Sequence, residues 1–141
     1  MDVMEGSCLC EGVKFFVTGA PDTTFICYCS HCSKNAGAEG QICAKFKREA
    51  VQVVEGTELM SSYTLTDNLS GSPKHKVFCS RCGCTLWTIP MKHHGTHWIL
   101  RTSIIKEGLE KLPYKSEFFA SRKKAVAAPD GVRRFDTMPG Q

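Results

Sequence analysis

Apolar and polar positions alternate along this chain in short bursts rather than in long helical stripes. Runs rich in β-branched and aromatic residues recur as VKFFV (13–17), TTFIC (23–27), QICAKF (41–46), VQVV (51–54), SSYTL (61–65), HKVF (75–78), TLWTI (85–89) and HWILRTS (97–103). Segments carrying Gly, Pro, Asn, Asp or Ser, the residues that turn a chain, separate them. About eight strands at this spacing predict a mainly β domain, a sandwich or barrel-like packing of sheets. Helical signals are few. HCSKNAGA (31–38) predicts one turn of helix, and EFFASRKKAVAA (117–128) has helical composition that PDG (129–131) stops. TDNLSGSPKHK (66–76) reads as a flexible hairpin loop, and FDTMPGQ (135–141) as a loosely held tail.

Length and composition narrow the class. A chain of 141 residues fits one domain, expected to span 1–141 with its core at 6–125 and a C-terminal tail at 126–141. No stretch approaches the roughly 20 apolar residues of a membrane span, and MDVMEGSCLCEG lacks the basic-then-apolar pattern of a secretory signal. The expectation is therefore a cytoplasmic protein with no membrane partner. The net charge of +4 is mild, and Lys and Arg are dispersed apart from SRKKAV and VRRF. That balance suits anionic small molecules about as well as nucleic acid.

The cysteines change the picture most. The chain has nine, an odd number, and a reducing compartment keeps thiols from pairing, so metal binding is the leading explanation. All but Cys43 and Cys84 fall into three groups: Cys8-Leu9-Cys10, Cys27-Tyr28-Cys29-Ser30-His31-Cys32 and Cys79-Ser80-Arg81-Cys82. Structural zinc takes four protein ligands in a closed tetrahedron, whereas catalytic zinc keeps three and leaves one position open. Two plus two plus three partitions accordingly. Cys8, Cys10, Cys79 and Cys82 would close a structural site across the fold, and Cys27, Cys29 and Cys32 would hold a second, open one. Gly83 after Cys82 suits the tight turn of such a half-site. Two alternatives stay open at this stage: Cys84 in place of Cys82, and His31 as a fourth ligand of the central site. Cys43, in an apolar strand, reads as a small core residue. A thioredoxin-like redox motif does not fit, because no βαβ pattern surrounds the CxxC pairs.

The motifs GSCLCEGVKF, CYCSHCSKNAGA and FCSRCGC, in this order and register between residues 6 and 87, resemble the glutathione-dependent formaldehyde-activating enzyme family, which includes the centromere protein V-like proteins. The last third of the chain resembles the family more loosely. The resemblance implies a β-tent fold of coiled β-sheets carrying two zinc ions per chain. It implies structural ligands at Cys8, Cys10, Cys79 and Cys82 and catalytic-zinc ligands at Cys27, Cys29 and Cys32. Lys34, Gly37 and Ala38 fit the tail of the central motif. Tyr28, Ser33 and Cys84 depart from the residues the family commonly has there, and they bear on the substrate rather than on the metal sites.

The activity implied is that of an S-(hydroxymethyl)glutathione synthase, a carbon-sulfur lyase acting in reverse, with glutathione as co-substrate and formaldehyde or a small aldehyde as the other reactant. In that reading His31 serves as a proton shuttle and Lys34 pairs with a glutathione carboxylate. His93, His94 and His97 in KHHGTHW (92–98) read as a hairpin tip rather than a metal site. Two other readings stand beside it: a zinc enzyme of the same fold acting on a different small metabolite, and a non-catalytic zinc-binding interaction module, for which the basic clusters at 122–124 and 133–134 are the support. The expected partners are small thiols and aldehydes, not nucleic acid; homodimerisation is left open.

Overall fold

The computed structural model describes residues 2–124 and 129–140. Ten strands form, β1 (Val3–Ser7), β2 (Lys14–Thr18), β3 (Thr23–Cys27), β4 (Gln41–Lys47), β5 (Val51–Glu55), β6 (Met60–Leu65), β7 (Lys74–Cys79), β8 (Thr85–Pro90), β9 (His97–Arg101) and β10 (Ser116–Phe118), with two helices, α1 (Ser30–Ala36) and α2 (Gly108–Lys111). The strands make a three-stranded sheet in the order β1-β2-β5 and a seven-stranded sheet in the order β10-β3-β4-β9-β8-β7-β6. The protein is mainly β, and its sheets are not closed into a barrel. All pairings are antiparallel except that of β10 with β3.

Register decides which face each side chain joins, because residues directly opposite one another in neighbouring strands point the same way. Ala44 lies opposite both Thr24 and Leu100, Phe46 opposite Trp98, and Trp87 opposite Leu100 and Val77. This row turns toward the small sheet, where Val13, Phe15 and Val17 complete the main buried core. Phe15 meets Trp87 edge-on with ring centroids 5.5 Å apart, and Trp87 stacks on Trp98 at 4.9 Å. The opposite face of the large sheet carries a second row, Phe25, Cys43 and Arg101, with Cys27 opposite Gln41. There Phe25, Cys27 and Cys43 make a smaller buried cluster, against which Cys29, Cys32 and Ile99 pack. The two cysteine groups of interest thus belong to two different cores.

Several local expectations are corrected. The helix expected at 117–128 is instead the end of β10 and a single 3-10 turn at Ala120–Arg122, while residues 125–128 lie outside the described residues. The open edge of β3 supplies the reason: Lys115 N donates to Thr24 O and Tyr28 N to Phe118 O, and Phe118 stacks on Phe25 at 4.3 Å. Backbone pairing along that edge outweighs a helical composition worth only tenths of a kcal/mol per residue (about 0–0.7). The loop expected over 66–76 is shorter, since β7 already begins at Lys74. The run 97–103 leaves the sheet at Arg101 for a 3-10 turn, Thr102–Ile104. No helix among the described residues is long and apolar enough to cross a membrane.

Candidate metal centres

The first thiol group grows from two turns. Cys8 and Cys10 sit in the connection from β1 to β2, which folds back through Cys8 N to Val13 O and Glu11 N to Cys8 O, each 3.1 Å. Cys79 ends β7, and the chain turns at Gly83 (φ +76°), whose N–H reaches Cys79 O at 2.8 Å. That left-handed conformation suits a residue without Cβ. The thiols of Cys8, Cys10, Cys79 and Cys82 converge, all within 4.8 Å of one another. Cys8 Sγ lies 3.6 Å from Cys10 Sγ, which lies 3.8 Å from Cys79 Sγ. A tetrahedron with metal–sulfur bonds of about 2.3 Å has edges of about 3.8 Å, so this donor set fits zinc. Of the open alternatives, Cys82 and not Cys84 joins the quartet; the Cys84 thiol turns to Thr85 O.

Charge in this quartet is uneven. The Gly12 backbone N–H and the Arg81 guanidinium, whose Nε donates to Cys10 Sγ at 3.3 Å, hold the Cys10 thiol down at about 6. Burial pushes the Cys8 thiol up to about 11. A divalent cation would replace the protons that such packed thiols otherwise share.

The second group is built around the start of α1. Cys27 ends β3, Cys29 is the N-cap of α1, and Cys32 lies in its first turn. Cys29 Sγ accepts from Cys32 N at 3.3 Å, so a thiol occupies the capping position usually taken by Ser or Asp. All three thiols lie within 4.8 Å of one another. Hydrogen bonds from Cys27 and Cys32 bring the Cys29 thiol down to about 2, and the Cys32 thiol is pushed far above the usual range by Cys27 and Cys29. Three converging sulfurs with one protein ligand too few fit an open metal site.

Neighbouring residues fix this triad from three sides. Asn35 Nδ2 donates to Gln41 Oε1 at 2.6 Å, and Lys76 Nζ donates to Asn35 Oδ1 at 2.9 Å, tying α1 to β4 and β7. Tyr28 Oη donates to Glu117 Oε2 at 3.0 Å, which also accepts from Lys123 Nζ at 3.0 Å. His31 does not join the three thiols; its Nε2 lies 3.3 Å from Asp67 Oδ1 in the loop between β6 and β7. Lys34 is exposed in the last turn of α1. Cys43 is buried in the triad face, and burial lifts its thiol to about 11.

Other motifs are committed elsewhere. His93 Nε2 lies 3.3 Å from Lys45 Nζ and His97 Nε2 3.2 Å from Asp22 Oδ2, both at the connection from β8 to β9. Among the described residues, the quartet and the triad are the groups of three or more converging ligand atoms. Arg122 packs over the Phe119 ring at 5.4 Å, and Lys123 is paired with Glu117. Sequence reasoning passed over Asn35, Gln41 and Arg101. A signal existed for Arg101 alone: a charged residue at the end of the apolar run HWILR with the same strand parity as Ile99.

Comparisons with known proteins bear on the family and the fold. A family model described as glutathione-dependent formaldehyde-activating enzyme matches residues 3–122. A Halomonas elongata protein carrying that description as a provisional name is 38% identical over 86 residues, 60% of this chain and 55% of that protein. The match thus spans about half the length of that relative. A crystal structure of a Rhodobacter sphaeroides protein superposes with a TM-score of 0.61 at 21% identity, covering 81% of this chain and 99% of that one, which shows a shared fold.

Proposed function

Because the chain belongs to the glutathione-dependent formaldehyde-activating enzyme family, we propose that it joins a small thiol, glutathione foremost, to formaldehyde or another small aldehyde at Cys27, Cys29 and Cys32. The observation that carries this reading is the incomplete triad: three thiols converge where a closed metal site needs four donors. A zinc ion held there would supply an open position at which an incoming sulfur stays deprotonated at neutral pH. The quartet Cys8, Cys10, Cys79 and Cys82 holds a second zinc whose role is structural.

The reaction balances without an oxidant. The substrate thiolate attacks the carbonyl carbon, a carbon–sulfur bond forms as the carbon–oxygen π bond breaks, and the resulting alkoxide takes one proton to give a hemithioacetal. His31, held by Asp67, is the residue of this chain assigned to deliver that proton. Lys34 meets a carboxylate of the thiol substrate from the exposed end of α1. Phe25, Ile99 and Cys43 give the triad an apolar floor that limits water around the reacting sulfur.

The test pairs a metal count with a rate. Elemental analysis should find two zinc ions in the wild type and one in folded Cys29→Ser. Exchange spectroscopy of glutathione with formaldehyde should show acceleration by the wild type and none by the variant. Two zinc ions without any acceleration would move the substrate to another small metabolite, and an unfolded Cys29→Ser would make the triad's metal structural.

A further inference from the structure

Arg101 is the one charged side chain in the buried interior of the described residues, with 7% of its surface exposed. Its Nη2 donates to Thr88 Oγ1 at 2.8 Å and its Nη1 to Ile99 O at 3.2 Å, while Nε has no partner. None of the ion pairs among the described residues includes it. A guanidinium taken out of water without an anion costs several kcal/mol, and Arg cannot escape that cost by losing its proton. The acidic groups on its face of the sheet are thiols: Cys43 lies directly across the β4–β9 ladder and shares a buried cluster with Cys27, against which Cys29 and Cys32 pack. Register puts Phe25, Cys43 and Arg101 in one row on the triad's face of the sheet, and Thr88 reaches the guanidinium from the next strand. The opposite face is filled by the apolar core, so the charge lies on the same face of the sheet as the triad's cluster.

We propose that Arg101 is the counter-cation of the triad, a positioning residue whose fixed buried charge offsets the excess negative charge of three metal-bound sulfurs and of an incoming fourth. Three thiolates around a divalent cation leave one excess negative charge, and a fourth thiolate leaves two. One buried guanidinium cancels the first and halves the second, without taking a coordination position. The inference rests on the metal reading of the triad and adds the element that makes it electrostatically tenable in a buried face.

The test uses zinc-loaded wild type, R101K and R101M, titrated with a chromophoric zinc chelator, with circular dichroism and the quartet's zinc as controls for folding. In R101M the triad's zinc is expected to bind about 10- to 100-fold more weakly, the range for loss of an outer partner of a metal site, while the quartet keeps its ion. R101K is expected to retain most of the affinity, a rescue that a purely packing role would not produce. If R101M binds both ions as the wild type does, Arg101 is not the counter-cation and the metal reading stands. An R101K loss as large as that of R101M also overturns the charge role, and R101K alone decides the matter should R101M not fold. A wild type holding a single zinc, unchanged in Cys29→Ser, overturns the metal reading itself and this inference with it.

Discussion

Cys29 serves the backbone and the triad with the same sulfur, capping α1 through Cys32 N while converging on Cys27 and Cys32. Ser caps helices well and Ala does not, so the two substitutions separate these roles. Both remove the thiol; Cys29→Ala should be about 1 kcal/mol less stable than Cys29→Ser by urea denaturation, the difference being the lost cap. Gly56 offers a second residue-level test. It adopts φ +82°, and a Cβ there would run into the Gly12 carbonyl, which is backbone and cannot swing aside. Gly56→Ala should cost well over the roughly 1 kcal/mol typical of a glycine replaced in a left-handed conformation. In the main core, Leu86 is fully buried, and Leu86→Ala should lower stability by about 2–5 kcal/mol in the same assay. A loss below about 1 kcal/mol would mean that the site collapses around the missing methyls.

At the scale of elements, β10 is short and exposed, so the side chains beside it decide how firmly it docks on β3. Lys123 and Tyr28 both donate to Glu117 and hold its carboxyl below the ordinary 4.5, while Glu117 holds Lys123 above 10.5. A lowered carboxyl favours the fold above its unfolded value and loses that contribution as pH falls through the folded one; a raised ammonium contributes below its unfolded value and loses it as pH rises through the folded one. The pair therefore supports β10 between roughly pH 4.5 and 10.5. Hydrogen exchange at Tyr28 and Lys115, whose amides bond across the β10–β3 edge, should quicken in Glu117→Gln at pH 7. Wild type and variant should converge once the pH has fallen below the lowered value of the Glu117 carboxyl. Equal exchange at pH 7 would show that backbone pairing alone holds the strand. The same edge explains why composition misled at 117–128, since a strand's unpaired partner is a tertiary fact that local propensity does not contain.

For the whole molecule, the two thiol groups divide labour by position. The quartet joins the β1–β2 connection of the small sheet to the β7–β8 turn of the large one, whereas the triad is confined to β3 and the helix that follows it. Removing metal from the first should loosen the joint between sheets; removing it from the second should spare it. Thermal melts should thus show a much larger loss in Cys79→Ser than in Cys29→Ser, and acidification should release zinc from both as protons compete for sulfur. Equal melting losses would mean that the triad, too, is a structural clamp. The chain alone determined eight of the ten strand runs, the gathering of seven cysteines into three short motifs and the turn at Gly83, because alternation, ligand spacing and backbone freedom are local properties written residue by residue. Tertiary structure decided which face of the large sheet each group occupies, that Cys82 rather than Cys84 completes the quartet, that β10 pairs where a helix was expected, and that Arg101 lies buried on the triad's face of the sheet. Those outcomes depend on strand register and on what lies across a ladder, and register is set by packing between segments far apart in sequence.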